Sequence, residues 1–269
     1  MPELPEVETV RRQLHERIAG KRIDAVRLLQ TGREFPTGKE FARALEGRTV
    51  MSVDRRAKLL IWRLDEGSAV TAHLKMTGRY VFVDDGYEPT KHDRILFEIG
   101  DERLMWSDVR KFGFMKVVSD QELSDIFDAY GPEPLVTSAN DLADRLIAPK
   151  TRRIKAALLD QTAIAGVGNI YADEALHRAG IRPTRRLARL SADERLELAR
   201  QIKEILAESV AQQGTSANDY VDTRGEKGGF LELLRVYGRE GEPCKNCGTP
   251  IKKIVLTQRG THYCPQCQV

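Results

Sequence analysis

The sequence contains no long hydrophobic run. No stretch approaches the ~20 apolar residues that a membrane helix needs, and the N-terminus has no apolar core of a signal peptide. We therefore expect a cytosolic protein with no membrane association. The chain has 269 residues, of which 41% are hydrophobic and 31% charged, and this composition predicts a globular protein of one or two domains.

Several common catalytic motifs are also absent. The sequence has no Gly-rich nucleotide loop, no HExxH and no GxSxG motif, and its five histidines show no metal-ligand spacing. These absences argue against a nucleotide-dependent enzyme, a zinc protease of the HExxH class and a serine hydrolase of the GxSxG class.

Cysteine is absent until the last 26 residues, where all four cysteines form two Cys-x2-Cys pairs. The pairs are Cys244 with Cys247 and Cys264 with Cys267, separated by sixteen residues, a spacing typical of a tetrathiolate zinc site. Two disulfides are the alternative, which a cytosolic location disfavours. Because four protein ligands close the coordination sphere, we expect one structural Zn²⁺ and no free thiol nucleophile.

Positive charge is concentrated in the same region. Residues 235–269 carry six Lys or Arg and two Glu, so this segment is net +4 while the rest of the chain is net −1. Such a basic module on a near-neutral body indicates a polyanionic partner. Zinc-bound thiolates would reduce the excess to about +2, so charge alone is only suggestive.

Periodicity predicts three types of structure along the chain. A helix is expected over 5–18, and short strand-like runs between 22 and 118 predict an antiparallel sandwich or barrel. After a linker at 130–135 come helices at 154–160 and 170–179, and a longer one that opens with a capping box at Ser191. The polar, Gly-rich segment 215–230 is predicted to be a mobile loop.

The turn GVGN at 166–169 is a candidate anion site. It predicts Asn169 as the N-cap of the following helix, where backbone N–H groups attract phosphate. The basic stretch PKTRRIK, which contains Lys150 and Arg153, precedes the first helix and strengthens this hypothesis. A simple tight turn between helices explains the glycines equally well.

The N-terminus MPELPEVETV offers a nucleophile. Removal of Met1 exposes the secondary amine of Pro2, and terminal amines titrate near ~7.7–8.0, so part of the population is neutral at pH 7. A secondary amine that attacks an aldehyde-like carbon forms an iminium ion, and Glu3 can transfer protons beside it. The alternative is that Pro2 and Pro5 only start a helix. Glu6 is undecided between helix capping and support of an active site.

Read together, these segments resemble the formamidopyrimidine-DNA glycosylases, base-excision repair enzymes for oxidised purines. The resemblance covers the whole chain, through MPELPEVETV, RRAKLL, HLKMTG, KHDR, DVRKFG, GVGNIYADE and the four-cysteine segment. It implies an α+β multidomain fold. The expected domains are a helix with an antiparallel β-sandwich (1–131), a helix-two-turns-helix domain with a base lid at 215–230 (132–234), and a zinc finger (235–269).

The resemblance also implies residue roles. Pro2 is the expected nucleophile at C1′ and Glu3 the acid and base, while Lys58 and Arg259 contact phosphate and assist elimination. Met76, Arg110 and Phe112 match the residues that fill the gap left by an everted base, and Asn169 matches a phosphate ligand. Further expected DNA contacts are His73, His92, Lys150 and Arg153. Thr77 stands where some members carry an acidic residue, so base contacts are not transferred to it.

The implied activity is that of a bifunctional glycosylase and AP lyase that cuts damaged double-stranded DNA by β,δ-elimination, acting as a monomer. Two alternatives remain. One is the endonuclease VIII-like branch, which prefers oxidised pyrimidines and typically begins PEGPE, whereas this chain begins PELPE after Met1. The other is a non-catalytic zinc-finger DNA-binding protein, which has no need of Pro2, Glu3 and Lys58 together.

Overall fold

A computed structural model describes residues 1–29, 39–146, 151–217 and 219–269. The chain divides into two units, residues 1–128 with 213–229, and residues 129–212 with 230–269. The Gly-rich segment therefore belongs to the first unit, although it follows the helices in the chain. The division into three domains stays a prediction.

The first unit is built on two antiparallel four-stranded sheets, with strand orders β1-β6-β7-β5 and β2-β3-β4-β8. Its strands are β1 (Ile23–Leu28), β2 (Val50–Arg56), β3 (Leu59–Leu64), β4 (Ser68–His73), β5 (Gly78–Phe82), β6 (Asp93–Ile99), β7 (Glu102–Asp108) and β8 (Phe114–Ser119). The antiparallel β-sandwich is thus confirmed, and β1 and β5 are strands that the sequence pattern did not predict.

Helix α1 (Leu4–Ile18) completes the core of this unit. Its buried Val7, Val10, Leu14 and Ile18 follow helical spacing and join one apolar cluster with both sheets. Tyr80 contacts Trp62 and Trp106 inside that cluster, with ring centroids 5.5 and 4.6 Å apart. The two shorter helices of the unit are α2 (Lys39–Leu45) and α3 (Asp120–Asp128).

The second unit is helical, with a hairpin near its end. Its helices are α4 (Ala139–Arg145), α5 (Ile154–Leu158), α6 (Asn169–Arg178) and α7 (Ala192–Ala211), and its hairpin strands are β9 (Lys252–Leu256) and β10 (Arg259–Tyr263). The predicted capping box of Ser191 and Glu194 opens α7. None of the helices described here is long and apolar enough to cross a membrane.

Candidate active site and metal centre

The N-terminal segment is held rigidly at the start of α1. Pro2 is buried, and Glu3 is 2% exposed and caps the helix. The Glu3 backbone N–H donates to Oε2 of Glu6 at 2.7 Å, and the two glutamates form a capping box. A terminus that usually frays is therefore fixed immediately next to the candidate nucleophile.

Glu6 has a second role that the sequence left undecided. Its Oε1 accepts the backbone N–H of Thr215 at 2.7 Å. One buried carboxylate thus binds both the N-terminal segment and the start of the Gly-rich segment. A Cβ on Gly214, which has φ +89°, would lie 2.9 Å from the Glu6 side chain, so this approach requires glycine.

Lys58 lies in the two-residue turn between β2 and β3 and is 6% exposed. The turn is stabilised by Arg55, which donates to the Ala57 carbonyl at 2.7 Å and to Oε2 of Glu8 on α1 at 3.1 Å. Burial tends to raise the pKa of Glu8, but hydrogen bonds from Arg11 and neighbouring arginines outweigh it and lower the pKa. The charged Glu8 therefore ties the Lys58 turn to the helix that carries Pro2 and Glu3.

His73 ends β4 as a neutral imidazole. Its Nδ1 accepts the Lys75 N–H at 2.9 Å. Burial and the positive charges of Lys75 and Lys58 lower its pKa to about 3. Contact between His73 and DNA stays a prediction, and at neutral pH the side chain has only its Nε2–H to offer, without a positive charge.

The three candidate wedge residues lie on two neighbouring connections of the first unit. Met76 is half-buried between β4 and β5, while Arg110 and Phe112 are exposed between β7 and β8. Phe112 is 48% exposed, and the Arg110 guanidinium carbon lies 4.9 Å from its ring centroid. A half-exposed aromatic ring with a cation over it suits insertion into a base stack.

Asp108 organises both connections from a fully buried position. Its carboxylate accepts the Thr77 hydroxyl, the Arg110 N–H at 3.2 Å and the Gly113 N–H at 2.7 Å. The Thr77 oxygen also accepts the Arg110 N–H at 2.9 Å. Thr77 and Asp108 thus join the connection of Met76 to that of Arg110 and Phe112.

The KHDR segment supports the same region from β6. The His92 carbonyl accepts the Asp108 N–H at 3.0 Å, and the buried Arg94 donates to the Asp108 carbonyl at 3.0 Å. The structure gives the His92 side chain an intermediate exposure, and its role in DNA binding stays a prediction.

The described part of the Gly-rich segment is pinned by side chains. Asp222, 1% exposed, accepts the N–H groups of Arg224 and Glu226, each at 2.9 Å, and the Gln13 amide at 2.7 Å. A Cβ on Gly228 would lie 2.3 Å from the Gly214 carbonyl oxygen, so the segment closes on itself only with glycine there. High glycine content here serves close backbone approach as well as freedom.

In the second unit, Asn169 does not cap α6 as predicted. Gly168 is the N-cap and Asn169 is the first helical residue. The prediction was wrong because the Asn169 side chain bonds elsewhere: its Nδ2 donates to the Gly260 carbonyl at 2.9 Å, and its buried Oδ1 has no protein partner. The preceding turn is held by Gln161, which accepts the Gly166 N–H and donates to the Val167 carbonyl.

Arg259 is exposed and begins β10, directly after the two-residue turn of the hairpin. Thr257 and Gln258 in that turn have φ values of 49° and 58°, the mirror-image turn that suits a tight hairpin. Its neighbour Gly260 is the residue bound by Asn169, so the two candidate phosphate ligands are held together. Arg153 is exposed before α5, and Lys150 lies outside the described residues.

The four cysteine sulfurs lie within 4.8 Å of one another. The Cys247–Cys264 and Cys244–Cys267 sulfur separations are 3.5 and 3.9 Å. A tetrahedral zinc with Zn–S bonds of about 2.3 Å requires sulfurs about 3.8 Å apart. Donor type, number and spacing therefore fit Zn²⁺, and no coordination position is left for a substrate.

Comparison with known proteins gives the same assignment from independent evidence. Family models match residues 1–115 (Formamidopyrimidine-DNA glycosylase N-terminal domain), 130–220 (Formamidopyrimidine-DNA glycosylase H2TH domain) and 241–269 (Zinc finger found in FPG and IleRS). The Formamidopyrimidine-DNA glycosylase of Desulfitobacterium hafniense is 45% identical over 274 residues, covering 100% of both chains. The chain belongs to the formamidopyrimidine-DNA glycosylase family.

Solved structures of this family agree over the whole chain. A complex of a Lactococcus lactis FPG mutant with Fapy-dG containing DNA matches with TM-score 0.91, 36% identity and 99% coverage of both chains. Wild-type Lactococcus lactis FPG with DNA containing an oxidised pyrimidine matches with TM-score 0.90, at the same identity and coverage. The β-sandwich, the H2TH helices and the structural zinc of this glycosylase are thereby confirmed.

Sequence reasoning missed the buried acidic residues that support the glycosylase site. Asp173 and Glu174 on α6 are fully buried. Asp173 pairs with the equally buried Lys155 and accepts the His262 N–H at 2.9 Å. Consecutive charged residues in a helix indicate a solvent-facing surface, and nothing local in NIYADEAL reveals partners far along the chain.

Glu174 holds the segment before the first cysteine pair. Its carboxylate accepts three successive backbone N–H groups, those of Arg235, Val236 and Tyr237, at 2.8–2.9 Å. Burial raises its pKa, although the three donors oppose that shift. Together with Asp173, it anchors both ends of the finger region on one helix.

Proposed function

We propose that the chain excises oxidised purines, 8-oxoguanine and formamidopyrimidines, from duplex DNA and then cleaves the strand by β,δ-elimination. The enzyme class is that of the family: a DNA glycosylase with AP lyase activity, acting in base-excision repair. The substrate preference and the residue roles are our proposal, as are action as a monomer and a cytoplasmic location.

The nucleophile in this proposal is the Pro2 amine, exposed when Met1 is removed. It attacks C1′, the bond from C1′ to the base nitrogen breaks, and Glu3 protonates the ring oxygen as the sugar opens to an iminium ion. The iminium acidifies the 2′ hydrogen, so the 3′ phosphate leaves first and the 5′ phosphate second. Hydrolysis then returns the free amine.

Access to C1′ requires that the damaged nucleotide leave the base stack, at an expense of a few kcal/mol. Met76, Arg110 and Phe112 fill the space it vacates and offset part of the lost stacking. Lys58, Asn169 and Arg259 are the proposed phosphate ligands, supplemented by His92, Lys150 and Arg153, with His73 as a neutral donor.

The rigid N-terminus is the observation that supports this proposal most directly. A capping box and the Glu6–Thr215 hydrogen bond immobilise the residues on either side of the candidate nucleophile. An ordinary helix start has no need for a second buried partner of the capping glutamate. Pre-organisation of this kind lowers the entropic cost of bringing nucleophile and carbon together.

Borohydride trapping tests the proposal. Sodium borohydride reduces the iminium to a stable amine, so the processed protein should become covalently attached to duplex DNA that contains 8-oxoguanine opposite cytosine. Peptide mapping should locate the attachment at Pro2. The matched control is the same chain with an N-terminal extension, which keeps every side chain but converts the Pro2 amine to an amide.

The control should still bind the duplex and give no adduct. A processed protein that binds the lesion duplex but gives no adduct would refute the catalytic assignment and favour a non-catalytic DNA-binding protein. Attachment at a lysine would reject Pro2 while retaining lyase chemistry.

Oxidised pyrimidines are a second candidate substrate class, because a family member has been solved with DNA containing an oxidised pyrimidine. Trapping on oxidised-purine and oxidised-pyrimidine duplexes in parallel separates the two. We expect faster trapping on the purine duplex, and the reverse order would assign the chain to pyrimidine repair.

A further inference from the structure

One face of helix α6 is a template for three parts of the finger region. Asn169, Asp173 and His177 are spaced four residues apart, so their side chains lie one above the other on the same face. Asn169 bonds to Gly260 and Asp173 to His262, both in β10. His177 is the third contact, and it meets a zinc ligand.

The His177 ring is 2% exposed and its Nε2 lies 3.5 Å from Sγ of Cys244. This separation is short enough for an N–H···S hydrogen bond. The other ring nitrogen, Nδ1, is buried and has no hydrogen-bond partner. Cys244 itself is 3% exposed, so water does not compete for the sulfur on this side.

The chemistry of the donor set decides which ring nitrogen carries the proton. A zinc-bound cysteine is a thiolate and therefore a hydrogen-bond acceptor. With the proton on Nε2, the ring donates to this anion and leaves only an acceptor nitrogen unpaired. With the proton on Nδ1, a buried donor is unpaired and a lone pair faces the thiolate.

We propose that His177 donates its Nε2–H to the Cys244 thiolate and is an outer-shell positioning residue of the zinc site. Such contacts orient metal ligands and tune metal affinity. Because α6 also binds β10 through Asn169 and Asp173, this bond makes one helix the common reference for the first cysteine pair and for the hairpin that presents Arg259.

The proposal predicts the behaviour of two His177 variants. His177→Phe keeps an aromatic ring but removes the donor, and His177→Gln keeps an N–H donor. In competition with a chromophoric chelator, the full-length His177→Phe chain should bind Zn²⁺ ~10–100-fold more weakly, the usual effect of losing an outer-shell partner. His177→Gln should recover most of that loss.

Tyr171→Phe is the matched control. It removes a buried hydrogen bond, from Tyr171 to Ser209 at 2.6 Å, on another face of the same helix. It should leave zinc affinity unchanged. Equal losses in His177→Phe and Tyr171→Phe would show that helix stability alone is responsible, and full affinity in His177→Phe would refute the contact; either result overturns the proposal.

A measurement on the unmodified chain decides the question if His177→Phe does not fold. In ¹⁵N NMR spectra of the protein loaded with ¹¹³Cd²⁺, His177 should be the Nε2–H tautomer, with a coupling between that proton and cadmium across the sulfur. An Nδ1–H tautomer would overturn the proposal. Neither readout involves DNA, so failure here is independent of the proposed glycosylase function.

Discussion

The two units hold their functional residues in different ways. The first has a continuous core beneath two sheets, and its candidate residues lie at turns and at a helix start, held by carboxylates that accept backbone N–H groups. The second has only a small cluster under its finger, formed by Val236, Cys244, Ile251 and Cys264. There the candidate residues depend on buried charges and on a metal.

Core size explains the contrast. A large apolar core lets hydrogen bonds adjust local geometry without carrying the fold, whereas a segment of some thirty residues buries too little apolar surface to fold without other support. Carboxylates in the first unit therefore position residues, while the charges and the zinc of the second unit also hold its structure together. Variants in the second unit should accordingly have the larger effects on stability.

Loss of zinc should produce the largest effect. Zinc contributes on the order of 10–16 kcal/mol to the folding of small finger peptides, more than the apolar cluster here can replace. Chelation, or Cys247→Ser, should unfold the hairpin and abolish DNA binding in a fluorescence-anisotropy titration. Near-ultraviolet circular dichroism from Trp62 and Trp106 of the first unit should persist.

Readdition of Zn²⁺ to the chelated wild-type chain should restore binding and serves as the control. Unchanged DNA affinity without zinc would show that the hairpin keeps its structure by other means.

The buried ion pair should give the second largest effect. Asp173→Asn leaves the Lys155 charge without its partner in a site where both side chains are 0% exposed. Breaking such a pair destabilises a protein by ~3–5 kcal/mol, measurable by urea unfolding monitored on the second unit. The control Glu208→Gln breaks the pair with Arg178, in which Glu208 is 49% exposed, and should change stability by less than ~1 kcal/mol.

Equal effects of Asp173→Asn and Glu208→Gln would contradict the contrast between the units, because they would mean that burial adds nothing to the Asp173 pair.

The sequence predicted what depends on local pattern. Periodic apolar residues predicted α1 and six of the sandwich strands to within about two residues, and the cysteine spacing predicted the metal site. It failed where distant residues decide. Asn169 has the composition of an N-cap, yet its amide binds Gly260 in β10, 91 residues away in sequence.

Glycine content misled for a similar reason. Segment 215–230 was predicted to be mobile because it is polar and Gly-rich, but Glu6 and Asp222 hold its described part through specific hydrogen bonds. Glu6 lies 209 residues from Thr215 in the chain, a pairing that no local pattern contains. Buried carboxylates with distant backbone partners are the common element in what the sequence did not reveal.

Glu6 gives an intermediate prediction, within the first unit. Glu6→Gln replaces one carboxylate oxygen by an NH₂ group, so either the Glu3 N–H or the Thr215 N–H loses its acceptor. A buried donor without an acceptor is unfavourable by ~1–3 kcal/mol, so that amide should exchange its hydrogen faster. Hydrogen-exchange mass spectrometry over 1–10 and 210–220 measures this, with the exposed Glu16→Gln on the same helix as control.

Unchanged exchange in both segments of Glu6→Gln would mean that the carboxylate does not hold either of them.

Thr77 provides the smallest and most specific test. Thr77→Val keeps the shape of the side chain but removes the hydroxyl that bonds to Asp108 and accepts the Arg110 N–H. The loss should lower stability by only ~1 kcal/mol, because the large core beneath is untouched. Its consequence should be local: the Met76 connection and the Arg110–Phe112 connection would no longer move together. A 2-aminopurine beside the lesion should then report slower base eversion, while Thr77→Ser, which keeps the hydroxyl, should match the parent chain. Equal eversion rates in the valine and serine variants would show that Asp108 alone orders the wedge, and a stability loss as large as that of Asp173→Asn would show that the first unit, too, depends on its polar contacts to stay folded.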